Sequence, residues 1–538
     1  MFVVQGIPLV LGSLARVAVI GLMLSPSCVV GAQELSIDPV NQRRRSALEG
    51  VAMPALDPAE LVQELEQLQQ DISRRARPVS MEEAVALSLQ NNPQLTAAFS
   101  TIQQLEWQLI AAQRQWYPTA QLSNGNPFVG YSWKSFVSNN YGGSGAGFNS
   151  LQSSSQSATT SRNAQFQTGM TLSWNFIAPT RQPNINAASE SLRQQKYLFD
   201  VSARNLVLNT QQFYFSIQSS QELIDSFQQI LAINKQQLQI LEARESIGMV
   251  TVLDVQQTKS QLFASLNELV LYTRNYMQQA AQLASELALP DEALAIPSES
   301  ARLYGRWFLD LQKTIQQASQ NREEVLAFLA AAEASDWKST AAIRSYLPVF
   351  SLQANGTFLG TNGYEGVPGS LDPSNSYART RSWSAAAGIG FTWSIFDGGI
   401  QAANAQAFKA EARQQRSQAA ATELQVTQQV RSSYAQMQTA RIGVKSAQQA
   451  FESAQIAQEA SRARFAVGVG DITSVVQTIQ QLSASAIQLS QATLSYNTAI
   501  AELYRYSATW PADAETELDQ RLQRMRRPTA AVQQGDLP

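Results

Sequence analysis

Two stretches of this chain repeat each other without a gap: residues 91–118 correspond to residues 321–348, at an offset of 230. Further matches follow in the same order at an offset of 219 or 220: Ser173-Trp174 with Thr392-Trp393, Arg193-Gln194-Gln195 with Arg413-Gln414-Gln415, Ala243-Arg244 with Ala463-Arg464, Gly248 with Gly468, and Tyr276 with Tyr496. Repetition in one order at a nearly constant offset indicates two copies of one structural unit. We predict a first repeat at 81–289, a linker at 290–302 and a second repeat at 303–510.

Each repeat contains a helix of unusual length. The segments Ile185–Ile247 and Gln401–Val467 each exceed sixty residues and contain no proline. At 1.5 Å per residue, such a helix is roughly 100 Å long, which is longer than a compact globule requires. A tight turn and a second helix follow in both repeats. Each unit is therefore predicted as helix, strand, strand, long helix, turn and helix.

Apolar residues in these long helices recur every seven positions, as in a coiled-coil seam. In the second repeat one heptad position holds Val430, Met437, Val444, Phe451, Gln458 and Phe465, and the position three residues later holds Ser433, Ala440, Ala447, Ala454 and Ser461. In the first repeat the corresponding seam holds Ile217, Ile224, Leu231 and Leu238, with Phe213, Phe227 and Leu241. The remaining surface is rich in Gln, Ser, Asn and Thr, which suits either a hydrated outer face or the lining of an aqueous duct.

Short segments that alternate apolar with small or polar residues favour membrane β-strands. The predicted strands are Gln165–Phe176 and Trp383–Ile395, with partners near Val129–Val137 and Phe350–Leu359. A period of two over ten or more residues suits a strand with lipid on one side and water on the other, although a half-buried strand of a soluble sandwich also alternates. The polar segments Ser138–Asn163 and Thr361–Arg381 are predicted as the connecting loops.

Four strands cannot close a barrel, because about eight is the practical minimum, and lipid does not tolerate open sheet edges. The protein is therefore expected to oligomerise in the membrane. Two copies would give eight strands around an interior filled by side chains, whereas three copies would give twelve strands and a passage.

The composition excludes several kinds of chemistry. The chain has no histidine, and its single cysteine, Cys28, lies in the predicted leader. Histidine-based acid–base catalysis and Cys/His zinc sites are therefore not expected. The net charge is −3 with no basic patch, so a nucleic-acid partner is not indicated. We predict no catalytic residue, no metal site and no cofactor.

The chain begins with a predicted signal peptide, residues 1–32. Arg16 precedes the apolar run Val17–Leu24, and Val30-Gly31-Ala32 fits a small-x-small cleavage pattern. A retained anchor remains open because Phe2–Leu14 is also largely apolar, and lipidation at Cys28 is less favoured by its preceding residues. Residues 33–80 are predicted as a partly disordered extension, and residues 511–538 as a flexible tail.

The duplicated unit resembles the TolC-like outer-membrane factors, also called outer membrane efflux proteins. The residues that carry the resemblance are Ala86-Leu87 with Asn91-Asn92-Pro93, Tyr117-Pro118, Leu347-Pro348, and Trp393 to Gly399. The helix–turn–helix segments around Arg244, Gly248 and Asp254 and around Arg464, Gly468 and Val475 complete it. The first repeat departs from the family pattern at Ala178-Pro179-Thr180, where the family often has an acidic residue and glycine.

This resemblance implies an α+β membrane protein: a homotrimer whose twelve-stranded barrel, four strands per protomer, continues into a long periplasmic α-helical coiled-coil tunnel. It implies an outer-membrane location in contact with lipid, a periplasmic adaptor as partner, and an inner-membrane transporter of ABC or RND type. It also places the two helical turns at the tunnel tip, with adaptor-binding residues Arg244, Gly248, Met249, Val250 and Thr251 in the first turn and Arg464, Gly468, Val469, Gly470 and Asp471 in the second.

Some family members carry acidic rings at the tunnel entrance, but the corresponding positions here are Ser474 and Gln477. Entrance or gate candidates are therefore Asp254, Ser474 and Gln477, and the repeats differ where Asp254 corresponds to Ser474 and Pro179 to Gly398. The expected function is a passive exit duct for efflux, type I secretion or both. A periplasmic adaptor with a helical hairpin is the alternative, and an exported hydrolase is a third hypothesis without a recognisable site.

Overall fold

The computed structural model describes residues 58–141, 154–290, 293–366 and 376–510. The chain divides into two compact units, residues 1–61 and residues 62–538. Only residues 58–61 of the first unit are described, within a helix, and the account below is of the second unit. The predicted signal peptide and the predicted C-terminal tail lie outside the described residues.

The elements follow one another in an order that the two halves share. The first half comprises α1 (Pro58–Arg75), β1 (Ala76–Val79), α2 (Met81–Asn91), α3 (Pro93–Arg114), β2 (Thr119–Tyr141), β3 (Ser154–Ile177), α4 (Arg181–Glu245) and α5 (Val252–Glu286). After β4 (Leu294–Pro297), the second half comprises α6 (Leu311–Asn321), α7 (Glu323–Arg344), β5 (Val349–Gly366), β6 (Ser376–Thr392), α8 (Ile400–Ala466) and α9 (Ile472–Tyr506). The same order thus occurs twice: two short helices, a strand pair, a long helix and a shorter helix.

The long helices form the shaft of the molecule. Helix α4 has 65 residues and α8 has 67, so each extends for roughly 100 Å. Helix α4 contacts α3, α5, α7 and α9, and α8 contacts α6, α7 and α9. No helix in the described part of the chain is both long enough and apolar enough to cross a membrane.

The heptad seam predicted in α8 is buried as expected. Val430, Met437, Val444, Gln458 and Phe465 are all buried, and Phe451 is half-buried. The small companion residues are buried or half-buried too, so α9 can approach α8 closely at these positions. In α4 the predicted seam residues Ile217, Ile224, Leu231, Leu238, Phe227 and Leu241 are buried and Phe213 is half-buried.

Helix α4 begins at Arg181 rather than at Ile185, and Pro183 therefore lies within its first turn. A proline is tolerated there because the first backbone N–H groups of a helix have no intrahelical acceptor. Both long helices end one or two residues earlier than predicted, at Glu245 and Ala466.

The four long strands form one antiparallel sheet in the order β2-β3-β5-β6. All four strands are longer than predicted, and the predicted loops were wrong at both ends. Residues 138–141, 154–163, 361–366 and 376–381 belong to strands, because backbone pairing does not need the apolar alternation on which the prediction relied. At its other end β6 stops at Thr392, before Trp393. Residues 142–153 and 367–375 lie outside the described residues.

Strands β2 and β6 are the edges of the sheet within one chain. In β6 every side chain from Arg379 to Thr392 is exposed, including the large apolar residues Trp383, Ile389 and Phe391. A row of unpaired backbone groups flanked by exposed apolar side chains is a surface that pairs readily with another strand.

A second, two-stranded sheet was not predicted. Strand β1 pairs in parallel with β4, so that Val79 lies opposite Pro297. Helix α1 precedes it and buries Leu65 and Ile72, whereas Leu68 is 40% exposed. The region predicted as an N-terminal extension therefore joins the region predicted as a linker.

Five charged side chains from three helices meet in the interior at the start of α7. Arg204 of α4 binds Glu323 at 2.6 Å, and Arg322 binds Glu324 at 2.7 Å. Arg505 of α9 donates to the other oxygen of Glu324 and, through Nε, to Asn205 at 2.7 Å. This buried network connects the first half of the chain to the second.

Candidate functional site at the helical tips

The first tip turn joins α4 to α5. Gly248 has a φ of +74°, a conformation that other residues adopt only with strain, and its N–H donates to the Glu245 carbonyl at 2.8 Å. The Met249 N–H then donates to the Arg244 carbonyl at 2.9 Å. Val250 is half-buried. These bonds close the end of α4 and reverse the chain.

Thr251 and Asp254 form a reciprocal cap at the start of α5. The Asp254 N–H donates to the Thr251 hydroxyl at 3.3 Å, and Asp254 Oδ2 accepts from the Thr251 N–H at 2.9 Å and from its hydroxyl at 2.7 Å. Such a capping box satisfies backbone donors that the helix itself leaves free. The predicted gate candidate Asp254 therefore has a structural role that its residue type and spacing explain.

The second tip turn, between α8 and α9, has a related but tighter geometry. Gly468 has a φ of +79°, and the carbonyl of Arg464 accepts from the N–H groups of Val469 and Gly470 at 3.0 and 3.1 Å. A Cβ on Gly470 would lie 2.9 Å from the Phe465 backbone nitrogen, so only glycine fits there. Asp471 is the N-cap of α9 but makes no side-chain cap bond.

The two tips lie side by side. Nη2 of Arg244 donates to the Ala466 carbonyl at 3.3 Å, and its guanidinium lies 4.9 Å from the centre of the Phe465 ring. A cation beside the last carbonyls of a helix also interacts favourably with the helix dipole. Farther along the shaft Arg462 donates to Gln236 at 2.6 Å. Arg244 was predicted as a tip residue, but its contact with the other hairpin was not.

The tips expose apolar side chains. Met249 and Val469 are each 71% exposed, and Ile247, Val252, Leu253 and Val467 are also exposed. Ser474 and Gln477 are exposed on the first turns of α9, whereas Asp254 is half-buried. A cluster of exposed large apolar side chains on a polar shaft is typical of a protein-binding surface.

At the other end of the shaft, two junctions connect the sheet to the long helices. The indole Nε1 of Trp174 donates to the Trp116 carbonyl at 2.8 Å, and that of Trp393 donates to the Tyr346 carbonyl at 2.8 Å. The two junctions therefore have equivalent hydrogen bonds, as the repeated sequence leads one to expect.

A shaft of long helices that continues into an antiparallel sheet with open edges defines the fold of the outer-membrane efflux channels. The CmeC outer membrane channel of Campylobacter jejuni has 16% identity and a TM-score of 0.61, with 84% of this chain and 90% of that chain covered. VceC of Vibrio cholerae has 15% identity and a TM-score of 0.60, covering 80% and 96%. The open-state MtrE channel of Neisseria gonorrhoeae has 16% identity and a TM-score of 0.59, covering 80% and 89%.

The family profile described as "Outer membrane efflux protein" matches residues 84–288 and 314–509. The chain therefore belongs to the outer membrane efflux protein family, which confirms the resemblance inferred from the sequence. This is a channel family and not an enzyme family. No protein of curated function has significant sequence similarity to the chain.

Proposed function

We propose that this protein is the outer-membrane exit duct of a tripartite efflux pump, a type I secretion system or both. In this proposal three copies form a twelve-stranded barrel in the outer membrane and a helical tunnel in the periplasm. Substrate crosses passively, and an inner-membrane transporter of ABC or RND type supplies the energy. A periplasmic adaptor opens the tunnel at its tip.

The open edges of the sheet support the trimer. Strand β2 at one edge and β6 at the other are free to pair with the neighbouring copies, which would satisfy the backbone groups that lipid leaves unpaired. Three sheets of four strands give a barrel large enough to contain a passage. The exposed residues Trp383, Ile389 and Phe391 on β6 would then lie at a protomer boundary or face lipid.

The exposed apolar cluster on the paired tips is the observation that carries the adaptor proposal. Gly248 and Gly468 hold both turns in a fixed shape, and Met249 and Val469 are presented to solvent on adjacent turns. An adaptor could bury these side chains together. Opening would then separate the hairpins, at the expense of the contacts that Arg244 makes with the other tip. We retain Asp254, Ser474 and Gln477 as candidates for the entrance lining.

The architecture favours the channel over the periplasmic adaptor considered as the alternative. An adaptor is expected to have one hairpin between small β-domains, whereas the described part of this chain contains two hairpins and a long four-stranded sheet. Single-channel conductance in a planar bilayer tests the duct directly. A persistent pore formed by heat-modifiable trimers from outer-membrane fractions is expected, and recovery only as a soluble monomer would refute the proposal.

Adaptor docking is tested by charging the tip surface. Met249→Asp and Val469→Asp place a carboxylate in the apolar cluster without altering the turn glycines, and co-purification of the adaptor should fall at least tenfold. Phe308→Asp is the matched control, because Phe308 is 84% exposed and lies near the far end of α9, next to the Trp307–Tyr504 ring contact. If the tip variants and the control co-purify equally well with the adaptor, docking at the tip is wrong.

A further inference from the structure

The two sheet–helix junctions are equivalent in sequence and in their tryptophan hydrogen bonds, but they differ in charge. At the second junction the Asp397 carboxylate accepts from the N–H groups of Gly399 at 2.8 Å and Gln401 at 2.9 Å, and from the Tyr346 hydroxyl at 2.9 Å. Hydrogen bonds from the Gln401 N–H, the Tyr346 hydroxyl and the Gly399 N–H lower the pKa of Asp397. An anion therefore occupies the N-terminus of α8.

The first junction lacks this acid. At the offset of 219, Ala178 stands where Asp397 stands, and Arg181 stands where Ile400 stands. The N-cap residue of α4, Thr180, makes no side-chain cap bond. The first junction therefore has a positive side chain at a helix N-terminus, where the backbone dipoles favour a negative charge.

Arg181 is buried, and no acidic side chain in the described part of the chain pairs with it. The residue is 2% exposed, and its Nε and Nη1 atoms have no hydrogen-bond partner among the described residues. Nη2 donates to the Asn175 carbonyl, and the guanidinium carbon lies 4.2 Å from the centre of the Trp116 ring. A buried guanidinium with two unpartnered nitrogens is unfavourable unless an anion accompanies it.

We propose that the N-terminus of α4 binds an anionic phosphate group, which takes the place that the Asp397 carboxylate has at the equivalent helix. In the first turn of α4 the Arg181 N–H already donates to the Ala178 carbonyl and Pro183 has no N–H. The Gln182 N–H, which corresponds to the Gln401 N–H that binds Asp397, and the two free nitrogens of Arg181 would therefore bind the phosphate oxygens. This combination of helix N-terminus and arginine is a common way to bind phosphate.

Access to the site requires Trp116 to move. This ring covers one face of the guanidinium but is itself 47% exposed, so it can turn towards solvent. Trp174 and Tyr117 are exposed beside it, and aromatic side chains of this kind concentrate at the border between membrane and water. The phosphate could belong to a phospholipid headgroup or be a free ion, and the lipid source rests on the membrane location proposed above.

The test measures anion binding to the purified protein, in detergent for the phosphate arm and in lipid nanodiscs for the lipid arm. Inorganic phosphate is one arm, and nanodiscs containing phosphatidylglycerol or phosphatidylcholine are the other. We expect a saturable rise in Tm with phosphate, with phosphatidylglycerol or with both, and at least a tenfold weaker apparent affinity in Arg181→Gln. Arg193→Gln is the control, because Arg193 is largely exposed on the same helix, and it should bind as the unchanged protein does.

Ala178→Asp provides the decisive second variant. It supplies the missing carboxylate within the chain, so Tm should rise without ligand and the dependence on phosphate or phosphatidylglycerol should disappear. A response to phosphatidylglycerol alone would identify a lipid site, and a response to phosphate alone a free-anion site. Equal responses in Arg181→Gln and the unchanged protein would overturn the proposal. So would a response without saturation, which would indicate an adventitious ion only. Loss of conductance with retained phosphate binding would refute the duct but not this site.

Discussion

Substitution of Glu324 by glutamine removes the central negative charge of the buried network. Arg322 and Arg505, whose side chains are 5% and 4% exposed, both bind this carboxylate. The network of three arginines and two glutamates would change from one excess positive charge to two. Breaking a buried ion pair in this way costs about 3–5 kcal/mol. We expect the lower end, because Glu324 itself is 21% exposed.

The effect is measurable as a fall in Tm. At an unfolding entropy of about 2 cal/mol/K per residue, a loss of about 3 kcal/mol lowers the Tm of a chain of this size by about 3 °C. Circular dichroism at helical wavelengths would follow the transition in detergent. Changing Arg505 to methionine in the Glu324→Gln background should recover part of the loss, because one of the unpaired buried charges is then removed.

Asp336→Asn on the same helix is the matched control. Asp336 pairs with Arg416, but the two side chains are 41% and 50% exposed, so the pair contributes less than about 1 kcal/mol. A Tm for Glu324→Gln that equals that of Asp336→Asn would refute the argument that burial makes this network sensitive to its charges.

Two further predictions concern acid and the second tip turn. Burial would raise the pKa of Glu324, but attraction by Arg505 and Arg322 outweighs it, and the pKa is lowered. The ionised Glu324 therefore stabilises the fold fully above its ordinary pKa of 4.5, and this stabilisation is lost as the pH falls below that value. Tm should accordingly fall with acidification in the unchanged protein, and fall less in Glu324→Gln. Gly470→Ala should speed amide hydrogen exchange in residues 464–471, because the added Cβ would clash with the backbone of Phe465. Gly443→Ala is the control: its Cβ has open space around it, and the substitution should stabilise α8 by about 1 kcal/mol. Equal exchange rates in the two variants would contradict the clash.

The helical shaft could be predicted because the heptad pattern that defines it lies within one stretch of the chain. The heptad residues Val430, Met437 and Val444 are buried as the sequence predicts, since a period of 3.5 residues can bury its apolar positions only along one seam. The turn glycines Gly248 and Gly468 were recognisable for a similar reason, since their positive φ is a property of the backbone at one residue.

The ends of the strands were not predictable in the same way. Strands β2 and β3 pair as far as Tyr141 with Ser154, through a region of Ser, Asn and Thr in which the apolar alternation is weak. Pairing depends on the neighbouring strand rather than on the alternation, and the sequence of one strand does not reveal how far its partner extends.

The sequence by itself determined that this chain is a duplicated unit with two long helical hairpins and four long strands, because repetition and periodicity can be read directly from the order of the residues. Only the tertiary structure showed that Arg204 meets Glu323, that Arg244 joins the two tips, and that Arg181 is buried without an acid where its counterpart helix has Asp397. The contacts of Arg204 and Arg244 join residues far apart in the chain. Their energies depend on burial and geometry, which a periodic pattern does not specify.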